Sequence, residues 1–308
     1  MAQSRRGRRR FGGSRRPRRA GVAAARRAVR GQRRRRRRAA VAVGPGSRRR
    51  RWFRAPEEEA ALVATLSRAR EPRRHPARAV AVVPGHGGAG ASTLAAAVAL
   101  VAARTTGVLL LDVDQAGAGA DLLLGIESEP GLRWSDVNGE TGSIGGAALR
   151  SAVPRTRGVG VLAAGREQPS SLRPETVLAA LDASRGAGDA VVADVGREPG
   201  PVTAGIVDSV DLTVVVTTAT VAAVAATRRT LDRLLREREP LLLVRGPSPS
   251  GLTAPQVADA VGLELLGGFR ADASLPGRCE AGGLTLRRFS PLTRAAEAVC
   301  RRARVGAR

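Results

Sequence analysis

From Ala79 onward, short runs of apolar residues alternate with longer stretches in which apolar positions recur every three or four residues. Runs of four to eight apolar residues fit strands buried on both faces, and the helical period marks the segments that cover them. The runs predict strands at 79–83, 108–111, 159–163, 190–193, 212–217, 241–244 and 263–269. Between them helices are predicted to begin near Thr93, Gly145, Pro174, Val202, Thr220 and Thr253, with a last one over 291–304. This alternation is the pattern of an α/β fold, a doubly wound and mostly parallel sheet with helices on both faces. Such sheets bind ligands beyond the carboxyl ends of their strands, where the first strand meets its helix.

The chain before Ala79 reads differently. Residues 1–55 hold arginine blocks, 33–38 and 48–51 among them, with no apolar periodicity, and a disordered arm is expected there. Residues 56–78 read as a short helix, opened by Glu57, Glu58 and Glu59, followed by a linker broken by Pro72 and Pro76. Residues 79–308 then form the main domain. Charge sharpens this division. The chain carries a formal +25, but 23 arginines and no acid lie within residues 1–54, which leaves the main body close to neutral. No lysine or tyrosine occurs, a bias that a GC-rich genome produces. Two readings of the arm stay open on composition alone: a true basic tail, or the translation of a stretch upstream of the native start.

Several chemistries find little support. Cys279 and Cys300 fit no metal spacing and no disulfide framework, so a reducing cytosol is the expected setting. The longest apolar run, 94–103, is too short to span a bilayer. Arg9-Arg10-Phe11 is followed by more arginines where an export signal needs an apolar core. His75 and His86 are the only histidines, and no Ser-His-Asp set or zinc site can be built from them.

The chemistry-bearing stretch is Gly85-His86-Gly87-Gly88-Ala89-Gly90-Ala91-Ser92-Thr93, between the first strand and its helix. A phosphate-binding loop asks for Gly, four residues, Gly, Lys and then Ser or Thr, and here Ala91 fills the lysine slot. Glycines let backbone N–H groups turn onto phosphate oxygens, and the helix N-terminus adds its dipole. Gly85, Gly87, Gly88, Gly90, Ala91, Ser92 and Thr93 are therefore the expected nucleotide-binding residues, with the Ser92 hydroxyl placed for Mg²⁺. The competing reading is a glycine-rich turn that only connects strand to helix.

Together with Val108-Leu109-Leu110-Leu111-Asp112-Val113-Asp114 and Ala120-Asp121-Leu122-Leu123-Leu124-Gly125, this loop resembles the deviant Walker A ATPases of the MinD/ParA group, which have the P-loop NTPase fold. Gly131-Leu132-Arg133-Trp134-Ser135-Asp136 and Val244-Arg245-Gly246-Pro247-Ser248-Pro249 bring it nearer to the CpaE-like branch and the actinobacterial septum site-determining proteins. The resemblance covers residues 56–304. It implies ATP and Mg²⁺ as cofactors. It also implies that Asp114 orients an attacking water and that Asp112, more weakly, serves catalysis. Ser92, Asp112 and Asp194 would hold Mg²⁺ directly or through its waters. The sequence departs from the family at both signature lysines, since His86 and Ala91 stand in their places. Losing one charge-assisted hydrogen bond costs roughly 1.5–3 kcal/mol, so ATP binding is expected to be weakened and hydrolysis poor or absent. Arg166 and Arg245 are stand-in cations by position only. Gly196 replaces a proline that the family places after the Walker B aspartate, and Arg245 lies near its adenine-reading asparagine.

The expected role is that of a regulatory or positioning protein for septum placement or secretion, using nucleotide as a switch. The alternatives are a non-enzymatic scaffold with a vestigial site and a ParA-like partition protein that binds DNA through its arm. Expected partners are a second copy in a nucleotide-dependent homodimer and cell-division or secretion/pilus proteins, with nucleic acid only if the arm is real. A cytoplasmic location is expected, with a peripheral membrane or septal one as its variant. Trp134 is expected to be half-buried, packing its loop on the sheet. The last helix carries an apolar stripe of Leu292, Ala295, Ala296, Val299, Cys300 and Ala303, expected to pack on the domain in preference to a membrane.

Overall fold

The computed structural model of the chain describes residues 38–42, 50–54, 77–138, 145–165, 172–234 and 239–306. The predicted helix within 56–70, His75 and Arg166 lie outside them.

The main sheet has eight strands: β3 (Ala79–Pro84), β4 (Val108–Asp112), β5 (Arg155–Thr156), β6 (Val159–Leu162), β7 (Ala190–Asp194), β8 (Leu212–Thr218), β9 (Leu241–Gly246) and β10 (Leu265–Arg270). Their order is β10-β9-β8-β3-β7-β4-β6-β5, parallel throughout except for the β5–β6 edge pair. The fold is the expected α/β one, and all seven predicted strands are present. In this sheet, strand β5 is the one addition among the described residues. Two residues, Arg155 and Thr156, are too short and polar to leave a pattern.

Alternation along each strand divides the core between the two faces. Val80 and Val82 point with Leu110, Val192, Val214 and Val216 to one side, where they meet the helices α1 (Ala91–Ala102) and α10 (Pro291–Ala303). Ala79, Ala81 and Val83 point with Leu111, Val191 and Val215 to the other, where they meet α5 (Pro174–Gly186), α6 (Pro201–Ser209) and α8 (Ala254–Val261). Helix α1 lies between the sheet and α10, so it is buried on nearly all sides. Its run of Ala95, Ala96, Ala97 and Ala99 follows from that position, because small side chains let both neighbours approach.

The stripe of α10 is buried as expected, with Leu292, Ala295, Ala296, Val299, Cys300 and Ala303 all inside. Burial pushes the Cys300 thiol up to about 12, so it stays protonated and acts as a small apolar group. No helix among the described residues is long and apolar enough to cross a membrane. The remaining helices are α2 (Ala120–Leu124), α3 (Trp134–Asn138), α4 (Gly146–Ala152), α7 (Val221–Leu234) and α9 (Leu275–Glu280).

In the arm, β1 (Arg38–Ala42) and β2 (Arg50–Arg54) pair antiparallel as a two-stranded sheet of their own. Ala39 and Ala40 lie opposite Phe53 and Trp52, and Val41 and Ala42 lie opposite Arg51 and Arg50; of these, valine and the aromatic residues are the ones strands favour.

Candidate functional site

The glycine-rich loop leaves β3 and enters α1 at the carboxyl edge of the sheet. Gly88 and Gly90 both have positive φ, 74° and 97°, which turns successive N–H groups the same way and makes a concavity suited to an anion. The first intrahelical bond of α1 runs from Leu94 N–H to Gly90 O at 3.0 Å. The N–H groups of Ala91, Ser92 and Thr93 thus have no intrahelical acceptor and are available to a ligand. Gly85 is anchored on both sides, donating its N–H to Val216 O at 2.8 Å and accepting from the Thr230 hydroxyl of α7 at 2.9 Å.

Neither former lysine position supplies a free cation. Ala91 is buried as the first residue of α1. His86 is turned back onto its own domain: its Nε2 accepts from Thr218 N–H at 3.2 Å and meets the Thr218 hydroxyl at 2.9 Å, while Nδ1 donates to Gly87 O at 2.8 Å.

Three carboxylates end adjacent parts of the sheet. Asp112 and Asp194 are register partners on β4 and β7, both nearly fully buried. Asp112 accepts from Ala120 N–H at 2.7 Å and from Asp114 N–H at 3.2 Å, so it also caps α2. Burial raises its pKa to about 6, with like charges on Asp114 and Asp121 adding to the rise and the two N–H bonds opposing it. Asp194 is raised to about 7, first by burial and then by the charge of Asp112, against a hydrogen bond from Ser92. That bond joins the phosphate loop to the end of β7. Asp114 is half-buried and accepts from Ala116 N–H at 3.2 Å. A Cβ at Gly196 would lie 2.8 Å from Asp114 Oδ1, so a larger residue there would make the carboxylate shift from its present place. The missing family proline has this physical counterpart. Among the described residues no group of three or more His, Cys, Asp or Glu side chains is arranged to hold a metal by itself.

Trp134 is fully buried, which corrects the half-buried expectation. Its indole Nε1–H donates to Asp112 O at 2.6 Å, and its backbone N–H donates to Ala163 O at 3.0 Å. The ring is thereby a buried support under the Asp112 strand end. Trp134→Phe leaves that carbonyl short of a partner and is expected to cost about 1–3 kcal/mol. Urea unfolding monitored by circular dichroism measures it, and a loss below about 0.5 kcal/mol would show that the bond carries no weight.

Two arginines complete the site. Arg245, at the end of β9, donates from Nη2 to Gly88 O at 2.8 Å, and its Nη1 lies 3.0 Å from where a Cβ on Gly90 would be. The guanidinium of Arg197, three residues after Asp194, lies 3.8–3.9 Å from the equivalent point on Gly87. Arg245 was legible by position. Arg197 was missed, because an exposed arginine in a polar turn carries no signal of its own. Beside Arg245 a largely apolar cavity of about 490 Å³ opens between the ends of β9 and β10, with Val244, Pro247, Phe269 and Arg270 in its wall.

The structure thus brings together Gly85 to Thr93, Asp112, Asp114 and Asp194 at one edge of a parallel sheet. The fold is that of ParA and MinD structures, on which the chain superposes. The ParA family ATPase from Chlorobium tepidum TLS matches with a TM-score of 0.64 at 17% identity, covering 74% of this chain and 98% of that one. The septum site-determining protein MinD from Pyrococcus horikoshii OT3, solved with Mg-ADP, matches with a TM-score of 0.59 at 18% identity, over 75% of this chain and 99% of that one. The MinD cell division protein of Aquifex aeolicus also scores 0.59, at 19% identity over 73% and 96%. No protein-family model matches the chain. The chain belongs to the family of the uncharacterized protein Rv3660c of Mycobacterium tuberculosis (strain ATCC 25618 / H37Rv). The two are 43% identical over 249 residues, 79% of this chain and 70% of the relative. The uncharacterized protein MT3760 of strain CDC 1551 / Oshkosh aligns with the same figures.

Proposed function

We propose that the protein is a septum site-determining or CpaE-like regulatory protein that binds ATP weakly through its loop and hydrolyses it poorly or not at all. The observation that carries this reading is the combination of an intact main-chain anion cradle with lost lysine charges. The glycines, the free first-turn N–H groups and the Ser92–Asp194 bond are all in place, while Ala91 is buried and His86 is bonded back to Thr218. Main-chain N–H groups and a helix dipole hold a phosphate without side-chain charge, so binding survives. Hydrolysis depends on cations that stabilise charge in the transition state, so it suffers more.

The residues fit Mg²⁺. Ser92, Asp112 and Asp194 offer hard oxygen donors, and the two carboxylates, whose pKa values burial and the like charges of neighbouring aspartates raise, have no cationic partner among the described residues. They would hold the ion with phosphate and water completing its shell, and the ion when bound would supply positive charge to the phosphate oxygens. Asp114, held against Gly196, is the carboxylate placed to accept a proton from or orient a water. By analogy with the MinD class, a nucleotide-dependent homodimer and cell-division or secretion proteins are the partners to seek.

A vestigial site on a scaffold is the second reading, and the internally satisfied His86 favours it. Titration with fluorescent ATP and Mg²⁺, beside a phosphate-release assay, separates the two. Saturable binding with release at background level is expected. Robust Mg²⁺-dependent turnover would overturn the weak-hydrolysis part, and indifference to every nucleotide would leave the scaffold.

A further inference from the structure

We infer that Arg197 and Arg245 are the phosphate-binding cations of this loop, a guanidinium pair that replaces the two absent lysines. The inference rests on the nucleotide reading above and adds to it the side chains that supply charge. Three observations carry it. Both guanidiniums lie against the loop, Arg197 within 3.9 Å of the Cβ position of Gly87 and Arg245 within 3.0 Å of that of Gly90. They come from different strand ends, β7 and β9, so the loop is approached from two sides. No carboxylate pairs with either among the described residues. Arg245 bonds only the neutral carbonyl Gly88 O, and Arg197 makes no hydrogen bond or ion pair there.

Other arginines of the domain are placed differently. Arg78 and Arg185 share Asp211, Arg150 is held by Asp189, and Arg133 is paired with Asp121. These pairs brace the fold. Two guanidiniums brought to one glycine loop, neither paired with a carboxylate among the described residues, offer positive charge that a polyphosphate would meet. Arginine suits the task, since its planar fork binds phosphate oxygens in pairs and stays charged at every working pH. Histidine at position 86 offers neither property, and its ring is already engaged by Thr218.

The test is equilibrium titration of the full chain with N-methylanthraniloyl-labelled ATP and, in parallel, equally labelled adenosine. Arg197→Gln and Arg245→Gln are each expected to weaken ATP binding by about tenfold or more and to leave adenosine binding unchanged. Arg245→Lys should recover part of the loss, because charge returns without the fork. Arg197→Gln should melt at the wild-type temperature, since its side chain braces nothing. The inference is overturned if the double variant binds ATP as the wild type does, an outcome that leaves the nucleotide reading standing. It is also overturned if ATP and adenosine weaken together, which marks a structural role. A wild-type chain that binds neither ligand overturns the nucleotide reading itself and this inference with it.

Discussion

Asp194→Asn is expected to raise the melting temperature of the nucleotide-free protein at pH 8 while abolishing any gain that Mg²⁺ brings to ATP binding. The reason is the cost of ionising a carboxylate that is 3% exposed and adjacent to Asp112. The folded protein holds the proton of Asp194 up to about 7 and that of Asp112 up to about 6, from a usual value of 3.8. The unfolded chain releases both near 4, so between about pH 4 and pH 7 the folded state binds more protons. Stability is therefore greatest, as far as these two groups decide it, below their unfolded pKa. It falls as pH rises and levels off above about 7. At about 1.4 kcal/mol per unit, the Asp194 contribution is on the order of 4 kcal/mol before relaxation. An asparagine keeps the shape and can accept from Ser92, so about 2 kcal/mol of gain at pH 8 is a conservative expectation. That corresponds to roughly 5 °C in a domain of this size. The slope between pH 4 and 7 should shrink but persist, because Asp112 still titrates. A variant that melts lower than wild type at pH 8, or that keeps the full slope, would show that Asp194 is not the strained group described.

The same pair of aspartates shows what can be read without coordinates. Each ends an apolar run, and in a parallel sheet that places a carboxylate at the carboxyl edge, so Asp112, Asp114 and Asp194 were legible as a set. The strands were legible for the same reason, since burial on both faces leaves continuous apolar runs such as Val108-Leu109-Leu110-Leu111. Elements of about one turn were not. Helices α2, α3 and α9 span five or six residues, too few for a period to repeat, and their places are set by local bonds such as Ala120 N–H to Asp112. Nor were contacts that cross the sheet. His86 meets Thr218 and Arg245 meets Gly88 only because β8 and β9 follow β3 in the strand order, across 132 and 157 residues of chain. Arg197 belongs with these. Its position depends on a turn in which Gly196 lies against Asp114, and neither residue's type announces that.

Gly90→Val is expected to remove measurable ATP binding while the domain stays folded, and Gly88→Val is expected to do much less. Both glycines have positive φ, 97° and 74°, so valine is strained at each. A left-handed residue costs about 1–2 kcal/mol, and β-branching adds to it, which is tolerable in a domain anchored by two buried faces. The surroundings separate the two positions. Nothing lies within 4 Å of a Cβ at Gly88, whereas at Gly90 it would meet Arg245 Nη1 at 3.0 Å. The larger side chain at position 90 must push the guanidinium off the loop or rotate the backbone that begins α1. Either response spoils the anion cradle, the first by removing a cation and the second by turning the Ala91–Thr93 amides aside. A loss on the order of a hundredfold or more, about 3 kcal/mol, is expected for Gly90→Val, against about tenfold or less for Gly88→Val. Fluorescent-ATP titration of both variants, with circular dichroism melts to certify folding, measures the contrast. Equal losses would mean that backbone strain alone governs the loop, and unchanged binding by Gly90→Val would mean that phosphate is not held there at all.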